Sequence, residues 1–82
     1  MTAPGREKSL RLITAFHTTT AAMMMEKACR EEELPGRLIP VPRSITASCG
    51  MAWCAPPEAR EKLEQMAGTR ALAVEGWYYV ML

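Results

Sequence analysis

The stretch that decides the fold is "RLIPVPRSITASCGMAW", Arg37 to Trp53. It opens with a short apolar run, continues through polar and small residues, and closes on a second apolar run. A proline cannot donate a hydrogen bond to a neighbouring strand, so Pro42 ends the first run or confines it to a sheet edge. The stretch therefore predicts two strands, Arg37 to Val41 and Met51 to Ala55, joined by a loop from Pro42 to Gly50.

The residues before this stretch predict a strand and a helix. Leu10 to Phe16 is almost continuously apolar, and the three threonines that soon follow offer N-cap hydroxyls. A helix over Thr19 to Glu33 places apolar side chains three or four residues apart. The Pro35-Gly36 pair predicts where this helix ends.

The residues after the stretch predict a second helix and a last strand. Pro56-Pro57 marks the start of the helix, because proline is tolerated in a first turn. Gly68 marks its end. Val74 to Leu82 is rich in Trp, Tyr and Val, residue types typical of a strand.

The element order β-α-β-β-α-β predicts an α+β fold of the ferredoxin-like type, with two helices on one face of a four-stranded antiparallel sheet. Right-handed crossovers place the strands in the order 4-1-3-2. We expect residues 1–9 to form a flexible N-terminal lead-in and residues 10–82 to form the single domain. Both alternating sets of side chains in 74–82 are largely apolar, so we expect a second copy of the chain to cover the other sheet face in a homodimer.

This topology brings the end of the first strand, the start of the first helix and the Pro42 to Gly50 loop to one end of the sheet. We therefore expect Cys49 to lie near a helix N-terminus, near His17 and near Arg43, all of which favour a reactive thiolate. Ser48 and Gly50 leave room around this thiol, and glycine also permits backbone angles that other residues resist. Three alternatives stay open: a cysteine that only packs, an arginine that is only solvated, and a histidine that is only structural.

Composition excludes several classes of function. The chain has 82 residues, ten Lys and Arg against nine acidic residues, and a formal net charge of +1. This balance predicts neither a nucleic-acid partner nor an anionic membrane surface. All nine acids are Glu, with no Asp or Asn, so Asp-rich metal loops are absent. No apolar run reaches the ~18 residues of a membrane span, and no glycine-rich phosphate loop is present.

The cysteines point to a reducing compartment. There are three of them, an odd number, and residues 1–9 lack the apolar core of a signal peptide. We therefore expect free thiols in the cytoplasm. Cys29 is predicted to pack in the core, and Cys54 either packs or acts as a resolving thiol. The spacing of Cys49 and Cys54 is wider than the ligand pairs of zinc sites, so no metal or cofactor is predicted.

Three motifs carry a resemblance to a known family: "FHTT", "MEKACREEELPGRLIPVPR" and "PGRLIPVPRSITASCGMAW". On these motifs the chain, from about Leu12 to about Met81, resembles a family of small bacterial proteins, the Se/S carrier protein-like family. The resemblance implies a small α/β carrier whose loop cysteine, here Cys49, holds sulfur or selenium. It also implies donor and acceptor proteins as partners, and a carrier rather than a stand-alone enzyme.

Two other readings of the same residues remain. In the first, the chain is a noncatalytic ferredoxin-like module that dimerises and binds a small ligand or protein through the 42–50 loop, with Cys49 only a small residue in a turn. In the second, the chain binds a metal. If the first interpretation is right, Cys49→Ser should leave the function of the protein unchanged. Metal analysis of the purified protein would test the second interpretation.

Overall fold

The computed structural model of the protein describes residues 8–82. Its elements follow the predicted order: β1 (Leu10–Phe16), α1 (Thr19–Glu32), β2 (Arg37–Pro40), β3 (Met51–Ala55), a 3-10 turn (Pro57–Ala59) that leads directly into α2 (Arg60–Thr69), and β4 (Val74–Met81). The end of α2 differs from the prediction. Gly68 lies inside the last turn, and it is Ala71 beyond the helix that takes a left-handed conformation, with φ of 55°.

The four strands form one sheet in the order β2-β3-β1-β4, and every neighbouring pair is antiparallel. The predicted ferredoxin-like arrangement is therefore confirmed. In the central pair, Ile13 of β1 lies opposite Cys54 of β3, and Thr14 lies opposite Trp53. The strands β1 and β2 run parallel on either side of β3, as the crossover rule requires.

Both helices pack on the same sheet face and share one core with it. The largest members of this core are Leu12 and Phe16 of β1, Met25 of α1, Trp53 of β3 and Leu63 of α2. Each of these side chains is nearly or fully withdrawn from solvent. Burial of this apolar surface is the main force that holds the helices on the sheet.

The two ends of α1 are formed in different ways. At the start, the Thr18 hydroxyl accepts a hydrogen bond from the Ala21 amide at 3.0 Å and acts as the N-cap. At the other end, Glu33 takes a left-handed conformation with φ of 56°, and the Leu34 amide donates to the Cys29 carbonyl at 2.8 Å. The predicted helix thus ends one residue early, because Glu33 already turns the chain.

The second sheet face carries its own apolar cluster. Ile13 and Ala15 of β1 and Cys54 of β3 lie beneath Ile45, which is buried although it belongs to the β2–β3 loop. Val41 and Ala47 of the same loop pack beside it. The chain's own loop therefore covers the centre of this face. That a second copy also covers the face stays a prediction.

The sheet continues slightly beyond the strand ends. Ser9 and Leu82 exchange two backbone hydrogen bonds, at 2.8 and 3.0 Å. Most of the predicted lead-in, residues 1–7, lies outside the described residues. Among the helices of residues 8–82, none combines the length and apolar character needed to cross a membrane.

Candidate functional site

The site lies where the β2–β3 loop returns to the sheet beside the start of α1. The Cys49 amide donates a hydrogen bond to the Phe16 carbonyl, the last residue of β1, at 3.2 Å. One residue later, the Gly50 carbonyl accepts from the Val41 amide at 3.0 Å. The first bond joins the loop to the end of β1, and the second closes the loop. Together they place Cys49 at the same end of the sheet as the N-terminus of α1, as the topology predicts.

The sulfur of Cys49 has two polar neighbours. The Met51 amide donates to Sγ at 3.4 Å, and the thiol points to the Thr19 hydroxyl oxygen at 3.6 Å. Thr19 is the first residue of α1, where the unpaired amides of the helix carry partial positive charge. A hydroxyl rotates to donate when its neighbour becomes an anion. The arrangement can therefore stabilise negative charge on this sulfur.

The structure does not leave the Cys49 side chain on the surface. Cys49 is only 3% exposed and packs at the margin of the main core, whereas Ser48 and Gly50 on either side are exposed. The main chain of Gly50 is not in the left-handed region, and no atom beyond its chain neighbours lies within 4 Å of where a β-carbon would stand. Gly50 therefore leaves space at the loop surface, but it is not required there by backbone conformation.

Glu75 joins three parts of the site and was not predicted. Its Oε1 accepts a hydrogen bond from the Ser48 amide at 3.0 Å and lies 3.7 Å from Nδ1 of His17. One carboxylate of β4 thus holds both the loop residue before Cys49 and the residue after β1. The sequence signal that points to Glu75 is that it is the only charged residue in an otherwise uncharged strand.

The predicted companions of the thiol are placed unequally. His17 lies at this end of the sheet, more than half exposed, with Glu75 as its carboxylate neighbour. Arg43 is exposed and forms no ion pair or side-chain hydrogen bond within residues 8–82. A role of Arg43 toward Cys49 stays a prediction. The sequence indicates Thr19 only as part of a helix start, whereas in the structure its hydroxyl contacts the Cys49 sulfur.

Comparison with known proteins supplies a family for this arrangement. The family model described as "Putative Se/S carrier protein-like" matches residues 11–79. The chain belongs to this family. The match confirms the resemblance inferred from the PVPR and SCG motifs and includes the whole β2–β3 loop. No curated protein and no solved structure matches the chain.

The other two cysteines of this Se/S carrier-like chain lie in different surroundings. Cys29 is 1% exposed on the core side of α1, and burial, with the nearby Glu32 carboxylate second, raises the pKa of its thiol to about 11. Cys54 packs in the cluster on the second sheet face, away from the cluster that contains Cys49. Within residues 8–82, no three potential metal-ligating side chains converge.

Proposed function

We propose that the protein is a carrier of sulfur or selenium, and that the thiol of Cys49 is the point of attachment. Family membership supports the class of function. The observation that carries the choice of residue is the polar surroundings of the Cys49 sulfur, with the Met51 amide at 3.4 Å and the Thr19 hydroxyl at 3.6 Å at the start of α1. All three cysteines touch apolar clusters, but among the described residues only the Cys49 sulfur also has hydrogen-bonding neighbours.

Loading is a thiol exchange without net oxidation. The Cys49 thiolate attacks the terminal sulfur of a persulfide on a donor protein, and a new sulfur–sulfur bond forms at Cys49. The bond between the two donor sulfurs breaks, and the inner donor sulfur leaves as a thiolate with the electron pair. The proton of the Cys49 thiol passes to a base before attack, and we assign His17 to this role. A donor that carries selenium in the terminal position reacts in the same way.

Unloading reverses the roles of the two sulfurs. An acceptor thiolate attacks the terminal sulfur or selenium on Cys49, and the Cys49 thiolate becomes the leaving group. A leaving group departs faster when its anion is stabilised. The Met51 amide and the N-terminus of α1 supply this stabilisation, so the same contacts serve both steps.

Access to the sulfur depends on the exposed residues around it. Because Cys49 is buried while Ser48 and Gly50 are exposed, we propose that the turn 48–50 moves when a partner protein docks. Arg43, also exposed in the same loop, is assigned to contact with the partner. A reducing cytoplasm suits this chemistry, because an unloaded thiol must be available and the three cysteines form no disulfide.

Intact mass spectrometry tests the proposal directly. The purified protein is incubated with a cysteine desulfurase and cysteine, and a parallel arm uses a selenocysteine lyase with selenocysteine. We expect the wild type to gain the mass of one sulfur or one selenium atom, and a thiol reductant to remove it. Cys49→Ala should gain nothing, whereas Cys54→Ala, the matched loss of another buried cysteine, should load like the wild type.

Two results would contradict the carrier proposal. One is no mass gain in the wild type with either donor, and the other is an undiminished gain in Cys49→Ala. Circular dichroism of each variant shows whether its fold is retained. If Cys49→Ala stays folded and the wild type never loads, the noncatalytic binding module becomes the better reading. Arg43→Ala should slow loading at low donor concentration. The reaction of Cys49 with a small neutral alkylating reagent then separates two roles of Arg43: an unchanged rate indicates contact with the partner, and a slower rate indicates stabilisation of the thiolate.

A further inference from the structure

The two edges of the sheet differ in length and protection. β2, at one edge, has only four residues and ends at Pro40. β4, at the other edge, has eight residues and contains neither proline nor lysine. Within residues 8–82, no strand pairs with its outer side. Long edge strands without such protective residues tend to pair with another strand.

Exposed apolar side chains gather at the same edge. Among the described residues, seven large apolar side chains are exposed. Five of them lie in β4, directly after it, or in β1 opposite its last residue: Leu10, Tyr78, Tyr79, Met81 and Leu82. The remaining two are the adjacent methionines 23 and 24 of α1. A concentration of exposed apolar surface on one edge indicates an interaction surface.

The backbone pattern identifies which residues of β4 can pair outward. Ser9 and Leu82 exchange two hydrogen bonds, and in an antiparallel ladder such pairs alternate with pairs that do not bond. Given the register of β1 with β4, residues 76, 78, 80 and 82 bond toward β1. The amides and carbonyls of Trp77, Tyr79 and Met81 therefore point away from the sheet.

We propose that two copies of this chain pair through β4 in antiparallel orientation, with Tyr79 opposite its own counterpart, so that the two sheets join into one. Trp77 then faces Met81 of the other copy, and the three outward residues of each strand form about six hydrogen bonds across the junction. Tyr78 faces Val80 on the second sheet face. Aromatic side chains opposite β-branched or aromatic partners stabilise such pairs.

Charge favours this register over those centred nearer to Glu75. Glu75 is the only charged residue of β4, and it lies outside the paired stretch 77–81. Centring the pair on Tyr78 or on Trp77 instead would place Glu75 opposite Met81 or opposite Tyr79 of the other copy. Because the stretch 77–81 carries no charge and exposes apolar side chains, it presents no like charges to its own copy, and this argues for a second copy as the occupant of this edge.

The pairing is compatible with two independent carrier sites, although it does not depend on the carrier proposal. Glu75, which holds the loop before Cys49, lies four residues from the two-fold axis. At about 3.4 Å per residue, the two Glu75 residues stand roughly 27 Å apart along the strands. The two Cys49 loops therefore lie at opposite ends of the junction, each four residues or more from the two-fold axis, which leaves each free to bind a partner protein.

Light scattering and amide hydrogen exchange test the proposal together. We expect the wild type to be a dimer at high micromolar concentration, with slow exchange at the outward amides of Trp77, Tyr79 and Met81. Tyr79→Lys places two like charges at the axis and should raise the dissociation constant at least about tenfold. Met23→Lys, the matched change at an exposed apolar residue of α1, should leave the dimer intact.

The outcomes are decisive in both directions. A wild type that is monomeric, or whose outward amides exchange as fast as in Tyr79→Lys, overturns the proposal. A wild-type dimer that Tyr79→Lys does not weaken places the interface elsewhere and overturns it too. Met81→Lys, at the margin of the paired stretch, gives a second and weaker test in case Tyr79→Lys unfolds. Exchange at β1 and β3 amides shows whether each variant retains the sheet.

Discussion

A buried cysteine lies near each end of α1, but the surroundings of the two sulfur atoms differ. At the C-terminal end, Cys29 is 1% exposed and burial raises the pKa of its thiol to about 11. At the N-terminal end, Cys49 is 3% exposed, yet its sulfur accepts an amide hydrogen bond and lies beside a hydroxyl. The comparison teaches that two equally buried thiols can differ in the polar groups around the sulfur. This difference is the reason why we propose Cys49 rather than Cys29 as the carrier thiol.

The same contrast extends to the glycines near each cysteine. Gly36, close to the C-terminal end of α1, has φ of 131°, and a β-carbon there would clash with the indole nitrogen of Trp53 and lie 2.8 Å from the Cys54 carbonyl. That indole nitrogen donates to the Pro35 carbonyl at 3.2 Å. Gly50, beside Cys49, has open space around it. One end of α1 is closely packed, and the other adjoins a loop with room to move.

The largest effect is expected from Gly36→Ala. The left-handed backbone and the clash with Trp53 should together lower the free energy of unfolding by about 3 kcal/mol. Gly50→Ala is the matched change at the other end and should alter it by less than about 0.5 kcal/mol. Urea unfolding measures both. Equal losses in the two variants would show that the loop is packed as closely as the core.

The next effect is a dependence of stability on pH that comes from Cys29. Its thiol has an ordinary pKa of 9.0 and a pKa of about 11 in the folded protein, so the unfolded chain loses this proton first as pH rises. The raised pKa therefore contributes to the free energy of unfolding, and this contribution is fully present below pH 9 and is lost between pH 9 and about 11. The loss amounts to about 2 to 3 kcal/mol in total.

Comparison with Cys29→Ala isolates this contribution from tyrosine and lysine titration. The difference in unfolding free energy between wild type and variant should be constant up to pH 9. It should then fall by about 1.4 kcal/mol per pH unit up to about pH 11. A difference that stays constant through this range would mean that the folded protein does not hold the Cys29 thiol in its neutral form.

A smaller effect, on the reactivity of Cys49, is expected from Glu75→Ala, which removes the carboxylate that accepts a hydrogen bond from the Ser48 amide. Loss of one such hydrogen bond is worth about 1 kcal/mol, which corresponds to about fivefold easier opening of the turn 48–50. We expect Cys49 to react with iodoacetamide about fivefold faster, measured by peptide mass. Reaction of Cys29 should not change.

Two controls accompany this measurement. Glu75→Gln keeps an acceptor oxygen and should lie closer to the wild type. Glu64→Ala removes an exposed carboxylate of α2 that pairs with Arg60 and should leave Cys49 unaffected. If Glu75→Ala accelerates both cysteines equally, the variant loosens the whole protein and Glu75 does not hold the loop in particular.

The smallest effect is expected from Thr19→Val, which keeps the shape of the side chain and removes the hydroxyl near the sulfur. A contact of 3.6 Å to sulfur is weak, so iodoacetamide labelling of Cys49 should slow only about twofold to threefold. Thr20→Val, the next residue along α1, is the matched control and should have no effect. Equal labelling rates of Cys49 in the two variants would show that the Thr19 hydroxyl does not affect the reactivity of this thiol.

The sequence by itself determined the element order and, through the handedness of crossovers, the strand order of the sheet. It did so because the signals are local: a proline between two apolar runs, threonines before a helix, and apolar residues at helical spacing. It also indicated Cys49 as the candidate thiol, since the topology brings the loop to the start of α1. The family resemblance pointed to the same residue.

Only the tertiary structure decided how that site is built. Glu75 and Ser48 are 27 residues apart, and nothing in the local pattern relates them. The burial of Cys49 and of Ile45 depends on the path of the 42–50 loop, which packs against clusters on both sheet faces. A loop without periodicity has no sequence signal for this path, because its course is set by the surfaces it covers.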